Sequence, residues 1–173
     1  MSSRFNEIRK QIDSRSIRAN ARALPWPYNG MVNDVLGAIQ TGGNYLAAMG
    51  LSSYTEMCGR QIFYDGDNNK EDWECFNKYL KYMGADEVLN KSIRFEGNKT
   101  HVKDAVRNGL VHRYFMKIEN GMVVLNSNNE EALQTGFIVT GDDSITLAVI
   151  PYFKLFYKSL INANEAGILK WAE

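Results

Sequence analysis

The stretch VRNGLVHRYF, Val106 to Phe115, marks the point where the spacing of apolar residues changes along the chain. Before it, apolar residues recur every three to four positions, as on one face of a helix. After it, they alternate with polar residues or form short runs, as in strands. We therefore expect a mainly helical protein that has a small group of strands after this stretch.

The N-terminal side of this stretch is predicted to be helical. The first helix covers residues 3–23 and ends before Pro25 and Pro27, because proline disrupts helical geometry at and before its own position. Further helices are predicted over residues 30–50, either as one helix or as a helix broken near Gly42-Gly43, over 51–65 with Ser52 or Ser53 as N-cap, and over 70–83. A short helix over 86–93 is expected before a loop at Glu96-Gly97-Asn98.

A glycine within a predicted helix and an acidic stretch between two predicted helices each allow a structural prediction. Gly59 lies inside a predicted helix, where it costs about 1 kcal/mol relative to alanine, so we expect a second helix to approach closely there. The stretch DGDNN, Asp65 to Asn69, begins like a calcium loop, but Lys70 and Phe76 stand where that loop needs glycine and glutamate. We therefore predict a turn that caps the next helix, without calcium.

Strands are predicted between about residues 114 and 149. The runs FMKI and MVVL flank Asn120-Gly121, and the runs GFIVT and SITLAVI flank Gly141-Asp142-Asp143, so each pair has the pattern of a hairpin. A last helix follows, with Pro151 in its first turn. The fold class is thus mainly α: one domain over residues 1–173, with a small antiparallel β insertion before the last helix.

Composition excludes several classes of protein. The 20 basic and 20 acidic side chains give a net charge of zero, so any contact with nucleic acid must be local. The two cysteines form no CxxC pair and no cluster with histidine, which argues against a zinc site, and no other cofactor is indicated. Neither a signal peptide nor a membrane-spanning run is evident, so we expect a cytoplasmic protein with no membrane contact.

The chemistry of the opening stretch comes from Arg107, Asn108 and His112. On a helix, Asn108 and His112 are four positions apart and share a face, and the long side chain of Arg107 can reach the same groove. An arginine binds two phosphate oxygens at once, and a histidine exchanges protons near neutral pH. RNA supplies its own nucleophile, the 2′-hydroxyl, so this set suits RNA cleavage without a metal ion. One histidine does not easily serve as both base and acid, so a symmetric dimer is expected if the set is catalytic.

This set resembles the R-polar-x3–5-H signature of the HEPN superfamily (higher eukaryote and prokaryote nucleotide-binding domain). The stretch Glu56-Met57-Cys58-Gly59-Arg60 is also similar to an E-x-x-G-R segment of a bacterial group in that superfamily. The resemblance implies an up-and-down helical bundle and a metal-independent endoribonuclease that leaves a 2′,3′-cyclic phosphate at a composite site of a homodimer. It further implies a toxin–antitoxin or phage-defence setting, with an antitoxin or a nucleotidyltransferase as partner.

Other residues are weaker candidates, and each has a structural alternative. Glu56 is expected to support the site by orienting Arg107. Four residues are candidates for RNA contacts, although packing or a solvated face would equally explain them: Arg15, Arg18, Arg113 and Tyr114. A second arginine–histidine match, Arg94 to His101, lacks the polar residue and is taken as accidental. The alternative function is a non-catalytic HEPN-like module for binding or dimerisation, in which His112 is a buried structural side chain.

Overall fold

The computed structural model describes residues 12–90, 93–95, 98–101, 104, 106, 122–126, 134–141 and 144–170. Over these residues the protein is mainly helical. The helices are α1 (Ser14–Ala21), α2 (Trp26–Gln40), α3 (Asn44–Tyr64), α4 (Asp72–Tyr82) and α5 (Val149–Glu165), with a short 3-10 helix at Asp86–Asn90. The strands are β1 (Ile93–Phe95), β2 (Asn98–Thr100), β3 (Met122–Asn126), β4 (Phe137–Thr140) and β5 (Ser144–Ala148).

The first two helices form a hairpin, and the two prolines lie where its second helix begins. Helix α1 ends at Ala21, before the prolines as predicted, but it begins only at Ser14 with Asp13 as its N-cap. A continuous helix over residues 3–23 is therefore wrong at Ile12 and Asp13, and residues 3–11 lie outside the described residues. Pro25 is the N-cap of α2 and Pro27 lies in its first turn, where a missing N–H breaks no helical hydrogen bond. The Arg18 guanidinium donates to the side chains of Asn33 (3.4 Å) and Gln40 (2.9 Å), which ties α1 to α2.

Of the two alternatives for residues 30–50, the helix broken near Gly42-Gly43 is the correct one, because α2 ends at Gln40 and α3 begins at Asn44. The prediction that Ser52 or Ser53 caps a separate helix is wrong: α3 continues through both. Buried side chains recur on one face of α3 on both sides of this point, so packing holds the helix together where its serines suggested a start. Ser52 is buried, and its hydroxyl has no hydrogen-bond partner among the residues that the structure describes.

A close approach between α3 and α4 confirms the expectation for Gly59. A Cβ atom at this glycine would lie 1.9 Å from the backbone oxygen of Cys75, well inside van der Waals contact. The two backbones therefore meet where α3 carries no side chain. Cys75 is fully buried on α4 as a result.

Helix α5 packs against α2 and α3 and carries the largest share of the aromatic core. Two pairs of buried hydroxyls connect it to its neighbours: Tyr152 with Thr55 on α3, at 2.7 Å, and Ser159 with Tyr79 on α4, at 2.8 Å. Such pairs satisfy groups that would be costly to bury alone. The predicted position of Pro151 in the first turn of this helix is confirmed.

Two predictions for the segment after α4 are wrong in detail. The predicted helix at 86–93 is a 3-10 helix over Asp86–Asn90, and Ile93 belongs to β1. Asn98, assigned to the predicted loop, is the first residue of β2, whereas Glu96 and Gly97 lie outside the described residues. Strands β1 and β2 pair antiparallel, with Ile93 opposite Thr100. The strand pairing therefore begins earlier in the chain than the predicted insertion at about 114.

The second sheet confirms one predicted hairpin and corrects the expected topology. Strands β4 and β5 pair antiparallel across Gly141, as the sequence indicates. Strand β3, however, pairs parallel with the other edge of β5, with Met122 opposite Ser144, so the strand order is β3-β5-β4. Turn residues indicate only which adjacent strands form hairpins, whereas a parallel pair requires a longer crossover that has no such signal. The predicted strand FMKI lies outside the described residues.

Replacing Gly59 with alanine should destabilise the protein, because its Cβ would overlap the Cys75 carbonyl oxygen and the two helices would have to separate. We expect Gly59→Ala to lower the free energy of unfolding by about 2 kcal/mol or more in urea titrations. Gly37→Ala is the control, since no atom lies within 4 Å of a Cβ at that position of α2. That variant should gain about 0.5 kcal/mol from helix propensity, and equal losses in both would contradict the close approach.

Candidate functional site

The predicted catalytic set lies outside the described residues, as do the weaker candidates Arg113 and Tyr114. The set comprises Arg107, Asn108 and His112. What the structure does describe is the position directly before it. Asp104 and Val106 are helical, and Val106 is fully buried within the hydrophobic core. The residue directly before the predicted catalytic set is therefore helical, and its side chain faces the core.

Glu56, the predicted supporting residue, lies on α3 one turn before Arg60. Its carboxylate is 4.0 Å from the Arg60 guanidinium, and both side chains are largely shielded from solvent. The structure thus brings together the two charged residues of the E-x-x-G-R segment, with Gly59 between them at the contact with α4. An interaction of Glu56 with Arg107 stays a prediction.

The Arg60 side chain organises the turn between α3 and α4. One guanidinium nitrogen donates to the backbone oxygens of Asp67 (2.7 Å) and Lys70 (2.8 Å), and the other donates to the Asp72 carboxylate at 2.7 Å. Sequence reasoning assigned Arg60 no such role, because no local pattern shows which carbonyl groups a side chain will reach. The guanidinium supplies the positive charge at the centre of this acidic turn.

The predicted turn at Asp65 to Asn69 is confirmed, but its predicted capping role is wrong. Asp65 ends α3 in the left-handed conformation, with a φ of 48°, and the Asp67 carboxylate accepts from Asn69 within the turn. The N-cap of α4 is Glu71, which forms no side-chain capping bond. The Asp67 carboxylate is engaged by Asn69 within the turn and does not cap the free N–H groups of α4.

His101 stacks on Trp73 of α4. The two rings are 4.2 Å apart between centroids and are 5° from parallel. This contact attaches the end of β2 to the first turn of α4. His101 belongs to the second arginine–histidine match, and its partner in that match, Arg94, lies in β1 opposite Lys99. Ring stacking thus gives His101 a structural role that the sequence did not indicate.

A groove of about 480 Å³ lies between α2 and α3, and sequence reasoning missed it. The Tyr54 hydroxyl donates to the Asp34 carboxylate at 2.8 Å across this groove. Partial burial, together with this hydrogen bond and the negative charge of Asp34, raises the pKa of Tyr54 to about 12. Leu46, which is 65% exposed, lines the same groove. The floor of the groove is mainly apolar, and the Tyr54 hydroxyl in it is held by Asp34. None of the described lining side chains is an activated nucleophile.

Neither cysteine is chemically activated. Cys58 and Cys75 are free thiols that are fully buried, and burial raises the pKa of each. Both thiols therefore stay protonated at neutral pH and are poor nucleophiles. Among the described residues, no three His, Cys, Asp or Glu side chains are grouped so as to hold a metal ion.

The two basic candidates on α1 differ in their surroundings. Arg18 is committed to Asn33 and Gln40, although its side chain remains open to solvent. Arg15 is exposed and has no ion pair or hydrogen bond within the part of the chain that the structure describes. Of the two, Arg15 has the more available guanidinium.

Comparisons with known proteins assign no family or function to this chain. No protein-family model, curated protein or solved structure matches it. Over the described residues, none of the helices combines the length and the apolar content that crossing a membrane requires.

Replacing Arg60 with lysine should loosen the turn between α3 and α4, because a single ammonium group cannot reproduce a planar fork that reaches two carbonyl oxygens and a carboxylate. We expect Arg60→Lys to lower the free energy of unfolding by about 2 kcal/mol. The exposed Arg15, changed to lysine, is the matched control and should stay within about 0.5 kcal/mol of the parent. A loss of the same size in both variants would show that Arg60 has no special structural role.

The Tyr54–Asp34 hydrogen bond predicts a specific dependence of stability on pH. Between the ordinary pKa of 10.0 and about 12, the unfolded chain loses the Tyr54 proton while the folded chain keeps it. The folded state then binds more protons, so its stability falls as pH rises through this range. Tyr54→Phe lacks this contribution. Urea titrations at neutral pH and across that range should therefore show a smaller decline for Tyr54→Phe than for the parent, whereas identical declines would refute the assignment.

Proposed function

We propose that the protein is a metal-independent endoribonuclease of the HEPN type. Arg107 binds the scissile phosphate through two hydrogen bonds and stabilises the charge that develops on its oxygens. His112 transfers protons, and Asn108 holds the imidazole or the 2′-hydroxyl in position. The proposal starts from the sequence R-N-x-x-x-H and from the chemistry of these three groups.

The observation that most favours this proposal is the burial of Val106. On a helix that continues from Val106, each residue turns by about 100°, so Asn108 would lie about 200° and His112 about 240° away from the side that faces the core. Both side chains would then point away from the hydrophobic interior. These rotations about the helix axis favour a histidine that is available to a substrate over one that is packed inside the bundle.

The proposed reaction is an internal displacement at phosphorus. The 2′-oxygen loses its proton to a base and attacks the adjacent phosphorus, the bond from phosphorus to the 5′-oxygen breaks, and that oxygen takes a proton. The products are a 2′,3′-cyclic phosphate and a free 5′-hydroxyl. Because one imidazole would have to serve at both oxygens, we propose a homodimer in which the two copies of His112 act on opposite sides of the scissile bond.

The described part of the molecule is compatible with this proposal through its mainly helical core. Glu56, held beside Arg60 on α3, is a carboxylate that can orient a second arginine as well. The setting that we propose is a toxin–antitoxin or phage-defence system, in which an antitoxin or a nucleotidyltransferase would control the activity. A non-catalytic module for binding or dimerisation is the alternative that the following experiment separates from the nuclease.

Incubation with mixed cellular RNA in EDTA tests the proposal. We expect the parent protein to cleave and to leave 2′,3′-cyclic phosphate ends, detected by mass spectrometry. Removing a general acid–base group or a phosphate clamp costs at least about 10²-fold in rate, so His112→Ala and Arg107→Ala should be nearly inactive.

The control is His101→Ala, which removes the chain's other histidine. It should cleave at close to the parent rate, since His101 has a packing role against Trp73. If the parent shows no cleavage, or if His112→Ala cleaves as fast as His101→Ala, the nuclease proposal is wrong and the binding module is favoured.

A further inference from the structure

Trp26 is the most exposed of the large hydrophobic side chains in the described part of the chain. It is 85% exposed, whereas Leu46 is 65% and Met57 is 40% exposed. Within the described residues its indole ring stacks on no other ring and forms no hydrogen bond. A tryptophan in this state leaves both faces of a large aromatic ring open to a ligand.

The backbone that carries Trp26 is fixed by its two neighbours. Pro25 and Pro27 flank it, and proline restricts both its own φ and the conformation of the residue before it. Trp26 is also the first residue of α2, whose next residues are held by buried side chains such as Tyr28. The backbone that carries the ring is therefore rigid. Binding of a ligand to the ring then costs little free energy for ordering this part of the chain.

Arginines lead up to this tryptophan along α1 and the turn that follows. Arg15, Arg18 and Arg22 are three and four positions apart, which places them along one face of a helix. All three are exposed, and Arg18 alone is engaged by side chains of α2. Residues 12–26 contain these three arginines and one acidic residue, Asp13, so this segment carries a net charge of +2 in a chain whose total is zero.

The charge and the ring occur within a short distance of each other. Arg22 and Trp26 are four residues apart, which limits the separation of their Cα atoms to roughly 14 Å. Asp13, the one acidic residue of the segment, is at its far end, where its carboxylate accepts from the backbone N–H of Ser16 at 3.1 Å. The end of the segment that carries Trp26 thus has a positive charge and none of the segment's negative charge.

We propose that Trp26, Arg22 and Arg15 form a binding surface for single-stranded RNA. A base stacks on the Trp26 ring, and the two guanidinium groups bind phosphates of the same strand. Arg18 stays with α2 and keeps the two helices in register. The choice of RNA among single-stranded polynucleotides rests on the proposed function, whereas the stacking and the charges require only an unpaired strand.

The same features disfavour other partners. In a duplex the bases are stacked on one another, so no base is free to cover an exposed indole. A protein partner would require an apolar patch around the ring, because interface cores are depleted in charge. Here the preceding turn exposes the charged Arg22 and the small Ala23, and the adjacent larger aliphatic side chain, Leu24, is buried.

The experiment measures binding of a fluorescein-labelled, mixed-sequence single-stranded RNA by anisotropy in EDTA. The full-length chain with His112→Ala is used as the parent, so that bound RNA is not cleaved if the nuclease proposal holds. Loss of one stacked base weakens binding by about 5- to 150-fold, which is the result expected for Trp26→Ala. Trp26→Phe should recover most of that loss because it restores an aromatic face.

Arg22→Gln and Arg15→Gln should each weaken binding and lower the slope of log affinity against log salt by about one. Leu46→Ala is the matched control: it removes another exposed hydrophobic side chain and should leave the affinity unchanged. The same RNA annealed to its complement should bind less tightly than the single strand, and Trp26→Ala should not change that weaker binding.

Unchanged affinity in Trp26→Ala, or an equal loss for the single strand and the duplex, would overturn the proposed surface. A concentration-dependent dimer that Trp26→Ala dissociates would overturn it as well, because the ring would then be a protein contact. These outcomes are separable from a failure of the nuclease proposal. Binding that depends on Trp26 in a protein that does not cleave RNA supports the surface and refutes the nuclease, and cleavage with no effect of Trp26 does the reverse.

Discussion

The contact between the backbones of α3 and α4 at Gly59 is the constraint on which the rest of the described structure depends. Only a residue without a Cβ allows the Cys75 carbonyl oxygen to come so close. The approach brings Arg60, the next residue, within reach of the turn that joins the two helices. It also sets how closely α4 packs against α3, and in this position the Tyr79 hydroxyl on α4 contacts the Ser159 hydroxyl on α5. One missing side chain thus fixes the relative positions of three helices.

This arrangement gives the protein a rigid interior and distinct outer regions. The hydroxyls of Tyr152 and Thr55 are paired, as are those of Tyr79 and Ser159, and the cysteines are kept inert by burial, so the described part of the core offers no activated nucleophile. Chemistry must therefore come from groups that project away from it. The proposed catalytic set follows a core-facing Val106, and the proposed RNA surface lies at the turn between α1 and α2. The first would cut a strand, and the second would hold it.

The sequence predicted those parts of the structure that depend on neighbouring residues. Gly42-Gly43 breaks the helix, Gly59 marks a close approach, and β4 and β5 form a hairpin around Gly141, because each effect is encoded within a few positions. Contacts between distant residues were not predictable in this way. Ser52 lies within a helix because packing outweighs its preference for a cap, and β3 pairs parallel with β5 without any local turn. For the candidate site, the reactive groups could be proposed from their chemistry, whereas the contacts of Arg60 and of His101 required the fold.

Our central proposal is that a helix continuing from Val106 would turn His112 away from the core, so its most direct test is the stability of two variants of that segment. The free energy of unfolding of Val106→Ala should fall by about 2 kcal/mol, because it removes buried methyl groups. That of His112→Ala should stay within about 0.5 kcal/mol of the parent, since a side chain that faces a substrate contributes little to folding. A loss for His112→Ala as large as that for Val106→Ala would contradict the account and identify His112 as a structural residue.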